Sequence, residues 1–107
     1  MEIIKFNKEY YQPIADGLKT QTLRLARKRV DVQEGEIAKA VFIGLNDTLL
    51  IRISKIGYKM FKSINLDDAH REGYDNVSDL KNALLKIYPD TNHWDRFYYY
   101  QFEVVVE

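Results

Sequence analysis

Residues 17 to 24 constrain the fold most, because they combine the signal for a helix end with the signal for a strand start. They read Gly-Leu-Lys-Thr-Gln-Thr-Leu-Arg and follow an apolar-faced segment. A glycine at that position is typical of a helix C-terminus. If the chain then extends, the strand period of two puts Thr20, Thr22 and Arg24 on one face, with Lys19 in the turn before them. The segment therefore predicts a helix-to-strand corner.

A cation and a hydroxyl on such a corner have two chemical uses. Lys19 and Thr22 can bind an anion together, or they can act as base and nucleophile on a carbonyl. A lysine acts as a base only if burial or a neighbouring cation lowers its pKa from about 10.4 toward neutrality. Arg24 is a candidate for that cation, and equally a candidate for stabilising an oxyanion.

The bulk composition is that of one globular domain, which we expect to span residues 1–107. Apolar residues make up 46% of the chain and charged residues 30%, and these values argue against disorder. Sixteen basic and sixteen acidic side chains cancel, which weakens an interpretation as a duplex nucleic-acid binder. There is no cysteine, no apolar run near the ~20 residues of a membrane span and no signal segment. We therefore expect a cytoplasmic protein that does not contact a membrane.

Three segments carry helix signals, and each begins after an asparagine, at position 7, 65 or 76. In the second and third segments, an aspartate three residues after the asparagine completes the pattern of an N-terminal cap. Pro13 removes a backbone donor from the first helix, which is therefore short, kinked or really begins near Gln12. The helices are expected to end near Asp16, Glu72 and Tyr88.

The remaining segments read as strands, because they alternate between apolar and polar residues or are rich in strand-forming residues. In the last strand, Tyr98, Tyr100 and Phe102 are expected to face the core, and Tyr99 the opposite side. About five strands, with helices bunched at two places, predict an α+β fold such as a small barrel or a strongly curled sheet. The expected strands cover residues 1–6, 20–25, 37–43, 49–58 and 97–107.

Several motifs together resemble the ASCH domain family, whose small β-barrel is related to the PUA RNA-binding domains. The pattern Gly-x-Lys-Thr-x-Thr-x-Arg occupies residues 17–24, and Ala-x-x-Glu-Gly occupies residues 69–73. A Glu-Gly pair at residues 34–35 and a closing strand with Phe102 agree with the family. The chain is also similar to small single-domain bacterial members that act as 4-acetylcytidine amidohydrolases. Their Leu-Lys helix ending in Ile-Tyr-Pro has its counterpart in residues 80–89.

The resemblance implies a PUA-like barrel of five to six strands with three flanking helices. It also implies metal-independent removal of the acetyl group from the exocyclic nitrogen of 4-acetylcytidine, with Lys19 as base, Thr22 as nucleophile and Glu72 as proton donor. Glu72 has separate physical support, because it ends a capped helix whose dipole disfavours a carboxylate by about 0.3–1 kcal/mol. Partial burial raises its pKa further. We therefore expect a glutamate that holds its proton nearer to neutral pH.

Each of these residues also has an ordinary structural interpretation. Lys19 can be a solvated side chain near helix carbonyls, and Thr22 can be merely a strand-forming residue. Arg24 can pair with Asp16 or Glu34, and the glutamate at position 72 can lie on the surface. The joint occurrence of all four residues in one family pattern favours the functional interpretation.

Further residues are candidates for substrate contacts. Arg24, Thr20 and Trp94 are expected to bind substrate, with Trp94 stacking on a base as a lid or rim residue. Four cations lie within six residues from Arg24 onward. They make Arg27, Lys28 and Arg29 candidates for phosphate contacts, although a solvated loop explains them equally well.

Two classes of function remain open. The first is the amidohydrolase, whose partner is a modified nucleoside or nucleotide. The second is a non-catalytic or weakly ribonucleolytic ASCH domain that binds RNA or a modified nucleotide in the same cleft. No cofactor and no metal are expected, because two histidines without ligand spacing do not form a metal site.

Overall fold

The computed structural model describes residues 1–106, in which five strands and three helices alternate with short 3₁₀ turns. The predicted Glu107 end of the last strand lies outside the described residues. The elements are β1 Ile3–Phe6, α1 Tyr11–Ala15, β2 Gln21–Leu25, β3 Ile37–Phe42, β4 Thr48–Met60, α2 Leu66–Arg71, α3 Val77–Ile87 and β5 Arg96–Val104, with 3₁₀ turns at Lys8–Tyr10, Ala26–Lys28 and Phe61–Ser63.

All five strands form one mixed sheet in the order β1-β3-β4-β5-β2. The β1–β3 pair is parallel, and the other three pairs are antiparallel. The α+β prediction is confirmed, with five strands and three helices. The sheet stays open, however, because β1 and β2 are its two edges and do not pair with each other among the described residues. The barrel expected from the family resemblance is therefore not closed.

The second and third helices begin as predicted. The Asn65 side chain accepts a hydrogen bond from the Asp68 amide, and the Asp68 carboxylate accepts one from the Asn65 amide, which completes a capping box. Asn76 caps α3 through the Asp79 amide at 2.8 Å. The prediction for Asn7 is wrong, because its side chain forms no capping hydrogen bond.

The first helical segment is divided. A 3₁₀ turn over Lys8–Tyr10 precedes a five-residue α1, Tyr11–Ala15. Pro13 has no amide proton to donate, so a continuous helix from residue 8 would lack a hydrogen bond there. The shortened helix still buries Ile14, so this segment has the apolar face noted in the sequence.

The sheet separates two apolar clusters, because alternate residues of β5 point to opposite faces. Tyr100 and Phe102 pack with β1, β3 and α1 on one face. Phe97 packs with α2 and α3 on the other face, and Tyr99 lies against this second cluster as predicted. The second cluster holds α2 and α3 against the β2–β5 end of the sheet.

No helix within residues 1–106 is long and apolar enough to cross a membrane.

Candidate active site

The predicted helix-to-strand corner is present. Gly17 has φ +77°, a conformation that favours glycine, and it follows the end of α1. The Pro13 carbonyl accepts hydrogen bonds from the amides of Leu18 and Lys19, at 2.8 and 3.0 Å. The turn exposes Leu18 and sends Lys19 inward, where only 4% of it reaches solvent. The solvated interpretation of Lys19 is therefore wrong.

A backbone hydrogen bond joins this corner to the end of α2. The Thr20 amide donates to the Arg71 carbonyl at 2.7 Å, just before β2 begins. The next residue, Glu72, caps the C-terminus of α2, and Gly73 follows with φ +88°. This arrangement turns the Glu72 side chain toward Lys19, and the surface interpretation of Glu72 is wrong.

Lys19 and Glu72 form a buried ion pair. Lys19 Nζ lies 2.8 Å from Glu72 Oε1, and both side chains are 4% exposed. Burial raises the pKa of the Glu72 carboxyl, while the Lys19 charge and hydrogen bond, with a smaller contribution from the Gln21 amide, act in the opposite direction. The sequence analysis predicted a raised pKa for Glu72 from the helix dipole and partial burial, and burial is the largest cause of the rise.

The second carboxylate oxygen of this pair is unusual. Within residues 1–106, Glu72 Oε2 is buried and accepts no hydrogen bond. An ionised carboxylate gains most from having both oxygens satisfied, so this orphaned oxygen favours a protonated carboxyl or a hydrogen-bonding ligand.

Thr22 and Arg24 stand next to the pair on β2. Arg24 Nε donates to Thr22 Oγ1 at 3.1 Å, and Arg24 Nη2 donates to the Lys5 carbonyl at 2.8 Å. The guanidinium also lies 5.1 Å from the centre of the Phe6 ring. Burial lowers the pKa of Arg24, but an arginine stays cationic at neutral pH. Arg24 pairs with neither of the predicted carboxylates, Asp16 and Glu34, within residues 1–106.

Lys19, Thr22, Arg24 and Glu72 line one cavity of about 140 Å³. Its lining residues come mainly from β1 and β2, which are the two edge strands, and from α3 and the C-terminal end of α2. The polar groups collect around the ion pair, while apolar side chains form most of the remaining wall. These apolar lining residues include Phe6, Leu23, Leu80, Ala83, Leu84 and Ile87.

Two tyrosines close one side of the cavity. Tyr10 OH and Tyr74 OH are 3.0 Å apart, so the 3₁₀ turn before α1 is hydrogen-bonded to the α2–α3 connection. Lys19 Nζ lies 4.9 Å from the centre of the Tyr10 ring. Burial, together with the Tyr74 hydrogen bond, raises the pKa of Tyr10, which keeps this hydroxyl protonated. A second, more polar cleft shares Tyr10 and Tyr74 with this cavity, and its other lining residues include Glu9, Asp79, Asn82 and Lys86.

A buried polar network supports the acidic helix from behind. Gln101 Nε2 donates to Gln21 Oε1, and Gln21 Nε2 donates to Asp68 Oδ1, each at 3.1 Å. Lys59 Nζ contacts Asp68 Oδ2 at 2.6 Å. Asp68 lies one turn before Glu72 on α2, so this chain of contacts fixes α2 to β4, β5 and β2.

Some predicted contact residues lie elsewhere. Thr20 does not line the cavity, and only its backbone takes part in the corner. Trp94 is 66% exposed beneath Lys62 Nζ, which is 3.8 Å from the ring centre, and it also lies outside the cavity lining. Arg27, Lys28 and Arg29 are exposed around the 3₁₀ turn after β2 and do not line the cavity.

Sequence reasoning missed four residues of the site. Asp68 was expected only to cap a helix, and Tyr10, Tyr74 and Gln21 were given no role in a functional site. The capping-box pattern was the one local signal available, since it put Asp68 one helical turn before Glu72. Nothing in the sequence near Tyr10 and Tyr74 links these two residues, which are 64 positions apart.

Within residues 1–106, no three or more histidine, aspartate or glutamate side chains are grouped closely enough to hold a metal ion.

Comparisons with known proteins identify the fold. No family model and no curated protein matches the chain. Among solved structures, it is similar to an ASCH domain from Lactobacillus crispatus, with a TM-score of 0.81 and 14% identity over 95% of this chain and 77% of the other. A DUF984 protein from Enterococcus faecalis has a TM-score of 0.78 and 16% sequence identity, and the match covers 98% of this chain and 76% of the other. The hypothetical protein PH0355 has a TM-score of 0.67 and 17% sequence identity, and the match covers 96% of this chain and 97% of the other.

The chain therefore has the fold of an ASCH domain, of the PUA-like class. Identities of this size establish the fold and not the chemistry.

Proposed function

We propose that the protein is an amidohydrolase that removes the acetyl group of 4-acetylcytidine, giving cytidine and acetate. The observation that carries this proposal is the buried contact between Lys19 and Glu72 at 2.8 Å, in a cavity that Thr22 also lines. These are the residue types to which the family resemblance assigns base, proton donor and nucleophile.

The proton that the reaction needs is shared between the Lys19 amine and the Glu72 carboxylate. As an ion pair, Lys19 cannot accept a proton and Glu72 cannot donate one. Transfer of one proton from the ammonium to the carboxylate makes both groups competent at once, without a change in net charge. Burial raises the pKa of the Glu72 carboxyl, which makes this carboxyl a better acceptor for the transferred proton. The orphaned Glu72 Oε2 also favours the protonated carboxyl.

Arg24 prepares the nucleophile. Its Nε–H donates to Thr22 Oγ1, so the hydroxyl keeps its own proton free to donate to a base. A cationic donor on this oxygen also stabilises the alkoxide that forms when the proton leaves. This contact gives Arg24 a role at the threonine oxygen that geometry supports directly.

The reaction then proceeds in two steps. Lys19 takes the Thr22 proton, and Oγ1 attacks the acetyl carbonyl carbon to form a tetrahedral oxyanion. As the carbon–nitrogen bond breaks, Glu72 gives its proton to the departing exocyclic nitrogen, which releases cytidine and leaves acetyl-Thr22. Water then attacks this ester and gives one proton to the Glu72 carboxylate, while Lys19 returns its proton to Thr22 Oγ1 as the ester bond breaks. The acetic acid that is released loses its remaining proton to solvent and leaves as acetate.

The cavity and the second cleft, which share Tyr10 and Tyr74 as lining residues, match the two halves of a nucleoside. The apolar walls formed by Phe6, Leu80 and Leu84 suit a flat base with its acetyl group. The polar cleft beyond Tyr10 and Tyr74 suits sugar hydroxyls, because carboxylates and amides there can accept and donate hydrogen bonds.

The proposed activity is tested by measuring hydrolysis of 4-acetylcytidine. Purified protein is incubated with 4-acetylcytidine, and cytidine and acetate are quantified by chromatography, with Thr22→Val as the matched inactive control. Equimolar cytidine and acetate from the wild type, and neither from Thr22→Val, supports the proposal. Tight binding of 4-acetylcytidine without turnover would instead favour the non-catalytic alternative in the same cleft.

A further inference from the structure

A second buried carboxylate lies one helical turn before Glu72. Asp68 is 3% exposed, and the Glu72 amide donates to the Asp68 carbonyl at 3.0 Å, so the two residues share one side of α2. Side chains four positions apart on a helix are neighbours, with about 5–6 Å between their Cβ atoms. Two carboxyls this close repel each other when both are ionised. The arrangement therefore favours a state in which only one of them is charged.

The hydrogen bonds decide which of the two carboxyls is ionised. Three donors lie 2.6–3.1 Å from the Asp68 carboxylate oxygens, namely Lys59 Nζ, the Asn65 amide and Gln21 Nε2. Glu72 Oε1 has the Lys19 contact, whereas Glu72 Oε2 accepts no hydrogen bond within residues 1–106. Because donors stabilise the ionised form of a carboxyl, Asp68 carries the negative charge and Glu72 is the carboxyl that takes up a proton.

The buried amide of Gln21 fixes the position of Asp68. An ionised carboxylate only accepts hydrogen bonds, so Gln21 must present its nitrogen to Asp68. The Gln21 oxygen then faces Gln101, whose Nε2 donates to it at 3.1 Å. Gln21 itself is fully buried on β2. Since both ends of this amide are occupied, the Asp68 carboxylate is held in one place relative to the sheet.

Asp68 differs in charge from the other neighbours of Glu72. The further titratable groups that line the cavity with Glu72 are Lys5, Tyr10, Lys19, Arg24, Tyr74 and Tyr88. These are amines, a guanidinium and phenols, and at neutral pH they add no negative charge beside Glu72. Burial is the largest cause of the raised pKa of Glu72, and the charge of Asp68 acts in the same direction.

We propose that Asp68 is a positioning residue for Glu72, and that Lys59 sets how much of the Asp68 charge reaches Glu72. The fixed negative charge favours the protonated forms of the Lys19–Glu72 pair, and the Lys59 ammonium partly cancels that charge. The Lys59 side chain is 21% exposed, so the outer end of this network reaches the surface. The catalytic part of the inference rests on the proposed function, whereas its electrostatic part concerns Glu72 with or without turnover.

The two members of the Lys59–Asp68 ion pair should have opposite effects on Glu72. Asp68→Asn removes the negative charge and keeps the shape, so the Glu72 carboxyl should titrate at lower pH, by about one pH unit. Lys59→Met removes the compensating charge, so Glu72 should titrate at higher pH. Asp68 stays ionised in Lys59→Met, because the Asn65 and Gln21 donors and its place in the first turn of α2 favour the charge. Carbon-detected NMR on protein labelled at glutamate side chains measures both midpoints.

Asp67→Asn is the matched control on the same helix. The Asp67 side chain is 70% exposed, so solvent screens its charge and the Glu72 midpoint should stay where it is. An unchanged midpoint in Asp68→Asn or in Lys59→Met overturns the inference. Movement in the same direction in both variants, or an equal movement in Asp67→Asn, also overturns it. If Asp68→Asn does not fold, Lys59→Met decides alone, and only a rise in the midpoint supports the inference.

The pH dependence of kcat/KM for 4-acetylcytidine separates this inference from the proposed function. The alkaline limb reports loss of a proton from the free enzyme. It should move to lower pH in Asp68→Asn and to higher pH in Lys59→Met. Absence of turnover by the wild type would remove the proposed function and leave the NMR test in force. Turnover with the same alkaline limb in all three proteins would retain the hydrolase and remove the positioning residue. Circular dichroism spectra of each variant establish that the fold is retained.

Discussion

Lys19 Nζ and Glu72 Oε1 are 2.8 Å apart although 53 positions separate them in the chain. A glycine turn presents the lysine, a helix C-terminus presents the glutamate, and one backbone hydrogen bond from Thr20 to Arg71 joins the two. Because both side chains are buried, the pair is part of the core as well as the centre of the candidate site.

The nucleophile is tested by shape-preserving substitution at Thr22. Thr22→Val keeps the volume and removes the hydroxyl, so we expect loss of turnover, while Thr22→Ser should retain part of it. Rapid quench of the wild type with 4-acetylcytidine followed by mass spectrometry should detect one acetyl group on the peptide containing Thr22. Undiminished turnover by Thr22→Val would exclude the threonine as nucleophile.

Arg24 should matter mainly for kcat. Arg24→Met removes the donor to Thr22 Oγ1, and loss of one such preorganised donor typically lowers kcat by about 10²–10³-fold. The kcat of Arg24→Lys should lie between those of the wild type and Arg24→Met, because lysine keeps the charge but not the planar set of donors of the guanidinium. Steady-state kinetics with a thermal unfolding control separate this effect from loss of packing on Phe6. A change confined to KM would contradict the assignment.

The raised pKa of Glu72 is directly measurable. We expect its carboxyl to titrate above the ordinary glutamate value of about 4.3, because burial outweighs the Lys19 charge. Carbon-detected NMR on protein labelled at glutamate side chains reports each titration, and the spectrum of Glu72→Gln identifies the resonance. A midpoint at the ordinary value would remove the argument that this residue donates a proton.

Substitutions at Lys19 and Glu72 should have strongly non-additive effects on the free energy of unfolding. Lys19→Met leaves Glu72 buried without a counter-charge, and such single losses cost about 3–5 kcal/mol. The double variant Lys19→Met/Glu72→Leu should recover most of this loss, because no buried charge remains. Urea unfolding of the wild type, both single variants and the double variant gives the four free energies of unfolding that this double-mutant cycle needs. Equal instability of Lys19→Met and the double variant would contradict a charge-based origin.

The same single variant should have a distinctive pH dependence. A glutamate whose folded-state pKa is raised binds its proton more tightly in the folded chain than in the unfolded chain. In Lys19→Met the free energy of unfolding should therefore be highest at low pH. It should fall as pH rises from about 4.3 up to the raised pKa of Glu72. A flat profile over that range would show that Glu72 is not desolvated.

The tyrosine pair gives a smaller, local effect. Tyr10→Phe and Tyr74→Phe each remove one hydroxyl from the same hydrogen bond, which is worth about 0.5–1.5 kcal/mol. We expect the double variant to lose no more stability than either single variant. We also expect KM for 4-acetylcytidine to rise while kcat changes little, since the pair forms a wall of the cavity. Additive losses would mean that the two hydroxyls act separately.

The sequence alone determined the features that depend on neighbouring residues. The caps at Asn65 and Asn76, the corner at Gly17 and the alternation of β5 were read correctly, because each involves groups within a few positions of one another. The first helix was only partly predicted. Asn7 looked like a cap, but the shortening by Pro13 was anticipated.

Only the tertiary structure decided which of these local features meet. Strand order and register bring the end of α2 beside the start of β2, so that Lys19 and Glu72 form a pair, and they leave Trp94 outside the cavity. The same register directs the basic run after β2 away from the cavity and leaves the sheet open. Contacts between distant segments depend on the packing of the whole chain, and no local pattern of residues specifies them.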